Sequence, residues 1–221
     1  MNTIENQKEV AKEVLTKLQA CDPHCILAGG APRNWFFNKV ANDLDFYIYL
    51  KHETIGANEL RFKSIGLDVK RMEFEELKDS SYKFMQHLFR VYEGTYKGES
   101  VQVMVMHEPT FTSVVNDFGV SICEFWWNGG EVQATKQALT SILTKKLFYK
   151  NDYSAKETHV EKMVKYFPEY TLTPYSQFDV AYKGLHNDIE KSYHREFGIN
   201  SLMYCSVLLN EAKNAVAKGD F

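Results

Sequence analysis

The chain has 221 residues, 44% hydrophobic and 14% aromatic, enough apolar surface for one large domain or a core with a small appendage, and this excludes a disordered chain. A formal net charge of −3 excludes a surface built as a non-specific nucleic-acid coat, though not a local basic patch. The four cysteines (Cys21, Cys25, Cys123, Cys205) make no disulfide framework, and the polar start MNTIENQKEVAKEV lacks the apolar segment of a signal peptide. No apolar run approaches the roughly 20 residues of a membrane span. The expectation is a soluble cytoplasmic protein with reduced thiols, no membrane partner and no evident protein partner.

Residues 3–20 read as an amphipathic helix. Val10, Val14 and Leu18 form its stripe, Ala11 and Leu15 widen it, and Thr3 is the N-cap with Glu5 and Glu9 near the positive dipole end. Asp22-Pro23 ends it. Cys25 to Ala28 reads as a buried strand running into Gly29-Gly30, followed by a short helix from Pro32 to Lys39. Leu44 to Leu50 is rich in β-formers and interrupted by Asp45. The pattern then predicts a helix over 52–62 and a strand over 67–74. A hairpin of 86–93 and 99–106 turns at Lys97-Gly98, with a short helix near 110–116 after it. The β-prone run Gly119 to Trp127 precedes the turn Asn128-Gly129-Gly130 and a returning strand, Glu131 to Thr135. Helical patterns follow over 137–147, 155–166, 176–190 and 199–217. The sum is an α+β fold. A head with a mixed sheet spans 1–135, with the leading helix 3–20, and a helical region spans 136–221.

The stretch ILAGGAPRNWFFNKVANDLDFYIYL, residues 26–50, carries the chemistry. Two glycines after a strand let backbone approach a bulky anion, and Arg33 adds a charge-assisted contact to phosphate. Asp43 and Asp45, two apart at the start of a strand, project to the same side. Carboxylates so placed repel unless a cation sits between them, and hard oxygen ligands beside phosphate suit Mg²⁺ or Mn²⁺.

This segment resembles the head of CCA-adding enzymes and bacterial poly(A) polymerases, in the DNA polymerase β-like nucleotidyltransferase superfamily. Their motif runs GG-x-V-R-D-x-L-L-G, four residues, then D-x-D. Gly29, Gly30, Arg33, Asp43 and Asp45 fall at the matching spacings, and Phe36-Phe37 take the apolar pair. Pro32, Asn34 and Asn38 depart from the family's Val, Asp and Gly. A later family strand carries a third acid, and the corresponding run Val101-Gln102-Val103-Met104-Val105 has Gln102 there. Asn116-Asp117-Phe118-Gly119-Val120-Ser121 resembles the family's R-D-F-T-I-N element, keeping Asp and Phe. Residues Thr158 to Phe167 resemble the basic helix after the catalytic head, with Lys162 and Lys165 in basic positions. The chain also resembles compact nucleotidyltransferases of phage genomes, which leaves open a phage-encoded protein acting in host cytoplasm.

The resemblance implies transfer of NMP from an NTP to an acceptor hydroxyl. It places Asp43 and Asp45 on metal, and Gly29, Gly30, Arg33, Asp117 and Lys162 toward the nucleotide. The helical region is expected to form one wall of the nucleotide cleft. RNA 3′ ends, tRNA in particular, are the favoured acceptor. A protein or small molecule as acceptor, a catalytically weak NTP-binding protein, and an interaction module stand as rivals. Seven lysines between Lys136 and Lys165 could face RNA or form a solvated helical face. Trp126-Trp127 and the cluster of Tyr166, Phe167 and Tyr170 read as core. Cys21, His24 and Cys25 lack the further ligands of a zinc site, and His186 and His194 read as surface residues.

Overall fold

The computed structural model describes residues 3–50, 55–73, 87–107, 111–150, 156–193 and 201–219. Parts of some expected elements (52–54, 74, 86, 110, 155 and 199–200), together with Asp152 and His194, lie outside the described residues. The chain divides into two compact units, one of residues 1–118 and 125–133 (the head), the other of 119–124 and 134–221.

In the head, α1 (Ile4–Gln19) begins where Thr3 Oγ1 accepts the Asn6 N–H at 3.2 Å. Strands β1 (Ile26–Ala28), β2 (Leu44–Tyr49), β3 (Val69–Arg71), β4 (Leu88–Tyr96), β5 (Glu99–Met106) and β6 (Phe125–Trp127) follow. The sheet runs β3-β4-β5-β2-β1-β6, ending on β7 (Gln133–Ala134), the two-residue strand at which the chain leaves the head. It is mixed. β2 and β5 are parallel, whereas β1/β2, β1/β6, β3/β4 and β4/β5 are antiparallel. The hairpin of β4 and β5 turns on Lys97 and Gly98, both at positive φ (49° and 87°). That is the twist a two-residue connection needs.

Alternation along the strands sorts the two faces. Leu27, Phe46, Ile48, Val101, Val103 and Val105 lie on one, under Ala11, Val14, Leu15 and Leu18 of α1. Phe62 of α3 (Ile55–Ser64) meets Tyr92 edge-on at 5.0 Å on this face. On the other face, Ile26, Tyr47, Val91, Met104 and Met106 pack with Val114 and Val115 of α4 (Phe111–Asn116). Helix α2 (Gly30–Phe36) starts two residues before the expected Pro32, because the glycine turn itself opens the helix.

The second unit contains strand where helix is expected. α5 (Lys136–Thr144) stops at Lys145, which adopts the left-handed conformation (φ 50°, ψ 44°). The chain continues as β8 (Lys146–Tyr149), parallel to β9 (Thr171–Pro174). The expected helix 137–147 is therefore too long, since a lysine takes the C-terminal role that glycine usually signals. Helices α6 (Lys156–Tyr166), α7 (Phe178–Tyr193) and α8 (Ser201–Lys218) complete the unit. The core of this unit includes Leu139, Ile142, Phe148, Met163, Phe167 and Leu208. No described helix is long and apolar enough to cross a membrane.

Glu124 is buried within this unit, accepting from Thr135 Oγ1 at 2.6 Å with Lys150 Nζ 3.5 Å away. Burial raises its pKa, against the lowering pull of Lys150 and Thr135. The unfolded chain releases this proton near the ordinary value of 4.5, while the folded unit holds it to higher pH. Raising pH through that interval therefore favours unfolding. Urea midpoints of the parent are expected to fall across it, and those of Glu124→Gln to stay flat by comparison.

Candidate active site

The site is built at one end of the sheet. β1 ends at Ala28, and Gly29 turns the chain with φ 83° and ψ −120°, a region only glycine occupies without strain. Its N–H donates to Phe125 O at 2.8 Å, and a Cβ there would stand 3.3 Å from Phe118 Cζ. Gly29→Ala is expected to cost about 1–3 kcal/mol by thermal or urea denaturation. A change below a few tenths would mean that the turn is less constrained than its geometry requires.

Gly30 presents an open flank to the first aspartate: a Cβ there would stand 3.9 Å from Asp43 Oδ1. β1 pairs Leu27 with Phe46, so one step further along that register Ala28 stands beside Asp45. Asp43 and Asp45 are half-buried, and Oδ1 of Asp45 is a buried atom. The donor set, two hard carboxylates beside a side-chain-free turn, suits Mg²⁺ or Mn²⁺. Among the described residues no three His, Cys, Asp or Glu side chains group to hold a metal.

Arg33 is buried, and its guanidinium donates through Nε (3.2 Å) and Nη2 (2.9 Å) to Asn34 Oδ1. An amide oxygen at this position thus orients the arginine. Asn38 stands at φ 54°, and asparagine tolerates the left-handed region better than other non-glycine residues. Both substitutions are compatible with the local backbone. Asp117 closes α4, next to Phe118, which packs on Gly29 and edge-on against Tyr47 at 6.2 Å. Lys162 stands exposed on α6 of the second unit and is not part of the head's own constellation. Trp127 is core, meeting Trp35 edge-on at 5.5 Å.

Gln102 is the register partner of Asp45 across the parallel pair β2/β5, and Glu93 is the register partner of Gln102 across β4/β5. Register partners point to one side of a sheet, so Asp45, Gln102 and Glu93 form a row. This face is apolar where α4 covers it. At the other end it is polar and open, with Ser100, Thr95 and Glu93 exposed. Glu93 escaped the sequence reading, yet the signal was present. In a two-residue hairpin about Lys97-Gly98, Glu93 and Gln102 are equidistant from the turn.

No protein-family model matches this chain, and no curated protein matches it. Solved structures do. The crystal structure of Bacillus stearothermophilus CCA-adding enzyme in complex with CTP aligns with a TM-score of 0.51 at 12% identity. The alignment covers 75% of this chain and 42% of that one. The fold resembles that of a CCA-adding enzyme. Two structures of a tRNA-processing enzyme align less well. Apo form I has a TM-score of 0.47 and 13% identity, over 85% of this chain and 48% of that one. Apo form 2 has 0.44 and 11%, over 74% and 45%. The chain thus spans less than half the length of each of these structures. At 12% identity the likeness to the first of these structures establishes the fold alone, an α+β head with a mixed sheet.

Proposed function

We propose that this chain is a divalent-metal-dependent nucleotidyltransferase, moving the NMP of an NTP onto an acceptor hydroxyl, with an RNA 3′ end, tRNA in particular, the favoured acceptor. The observation that carries the reading is the meeting of Asp43 with the open flank of Gly30, where the sheet face turns polar. A triphosphate tail approaches the turn, whose two glycines carry no side chains of their own. Arg33, oriented by Asn34, contributes positive charge to the phosphates. Asp117, next to the Phe118 that packs on the turn, is assigned to the ribose or triphosphate. Asp43 and Asp45 would hold Mg²⁺ or Mn²⁺, which when bound neutralises charge on the transferred phosphate and the leaving pyrophosphate. The preference for tRNA rests on the likeness to a CCA-adding enzyme alone.

The test is to incubate the chain with each α-labelled NTP, Mg²⁺ or Mn²⁺, and bulk RNA or bulk protein. Label on RNA is expected, and neither Asp43→Asn nor Asp45→Asn should give it. Label on protein would instead identify a polypeptide-modifying enzyme. Nucleotide binding without transfer would identify an NTP-binding protein. No nucleotide binding would overturn the reading.

A further inference from the structure

We infer that Glu93 is the general base of this site, in place of the acid missing at position 102. The inference rests on the nucleotidyltransferase reading above. An acceptor hydroxyl must lose its proton as it attacks, and the residues nearest the aspartates cannot take it. Asp43 and Asp45 are committed to the cation, and Gln102 is an amide with no basic oxygen at neutral pH. Register puts Glu93 next in the row, on the side of Gln102 away from Asp45, exposed and on the same face. Neighbouring strands lie about 4.8 Å apart, so the Glu93 and Asp45 backbones are separated by about 10 Å. Gln102 stands between them, so an acceptor hydroxyl lying over Gln102 falls between the two carboxylates. In-line displacement supports the same assignment, because it puts the attacking oxygen opposite the leaving group. The glycine turn lies on the β1 side of the aspartates, and Glu93 lies on the β4 side. Pyrophosphate leaves toward the turn, and the hydroxyl enters from the strand that carries Glu93.

The step balances. The Glu93 carboxylate takes the hydroxyl proton, and the oxygen forms a bond to the α-phosphorus. The bond from that phosphorus to the bridging oxygen breaks, and its electron pair departs with pyrophosphate. Among the described residues, the charged groups that share the face include Asp43, Asp45 and Lys70, the last being the register partner of Glu93 on β3. Asp117 follows α4, which is packed against the same face.

Single-turnover transfer and equilibrium NTP binding are measured separately for the parent, Glu93→Gln, and Glu93→Gln with Gln102→Glu, using bulk RNA and an α-labelled NTP. Glu93→Gln is expected to slow transfer by about 10²–10⁴-fold with nucleotide affinity unchanged. The added Gln102→Glu, which puts a carboxylate beside Asp45, is expected to recover at least about tenfold of the rate. A Glu93→Gln variant as fast as an active parent overturns this assignment and leaves the reading of the site standing. A parent that binds no nucleotide overturns both.

Discussion

Asp45→Asn is expected to reduce nucleotidyl transfer by about 10³-fold or more, roughly 4 kcal/mol of barrier, while the head stays folded. On the proposed reading the loss follows from removing one of two carboxylates that would share a cation, and Asp43→Asn is expected to act alike. The stability signature is sharper than the rate. Without metal, two half-buried carboxylates repel, so an amide in place of one leaves the melting temperature unchanged or higher. With Mg²⁺, the parent is expected to gain stability, since on the proposed reading the ion would bind only the folded head, about 2.7 kcal/mol at one hundred times its dissociation constant. Asp45→Asn should gain little. Differential scanning fluorimetry with a chelator and then with excess Mg²⁺ reads both effects. Equal Mg²⁺ shifts in the parent and Asp45→Asn would remove the aspartates from the metal site, whatever the activity showed.

Much of the head was legible because its signals are local. Strict spacing from Gly29 to Asp45 marked the candidate site, and alternation through Leu44 to Tyr49 brought β2 into view. The Lys97-Gly98 dipeptide marked the hairpin. What failed was a stop signal. Helix α5 ends on Lys145 in the left-handed region, and nothing in a lysine announces that, so the first two residues of β8 were read as more helix. β9 was missed because it is short and pairs in parallel with a strand more than twenty residues away. The pairing that places Glu93 beside Gln102 lay within reach of the hairpin arithmetic. The row reaching on to Asp45 required the parallel register of β2 and β5, a non-local fact. Gln7 presents the same divide. It shares the buried face with Ala11, Val14 and Leu18, yet the sequence analysis did not single it out, because a polar residue adds nothing to an apolar stripe and its partners are distant in sequence.

Those partners make Gln7→Leu the substitution expected to cost most stability, about 3–5 kcal/mol in urea denaturation. Gln7 is wholly buried and uses both ends of its amide. Its Nε2 donates to Ala41 O at 2.9 Å and to Glu99 Oε2 at 2.7 Å. Its Oε1 accepts from Trp35 Nε1 at 3.0 Å and from Ala41 N at 2.9 Å. Leucine has similar bulk but satisfies none of these groups, and each buried orphan costs about 1–3 kcal/mol. Ala41, pinned at both its N–H and its carbonyl, lies two residues before Asp43, so the same network steadies the approach to the first aspartate. Folded Gln7→Leu should therefore show a weaker Mg²⁺ shift than Leu15→Ala, a cavity variant in the same core expected to cost about 2–5 kcal/mol. That comparison separates a general loss of stability from a loosened site. If both variants retain the full Mg²⁺ response, the network supports the fold alone. If Gln7→Leu costs under about 1 kcal/mol, the head has re-satisfied its orphans with water.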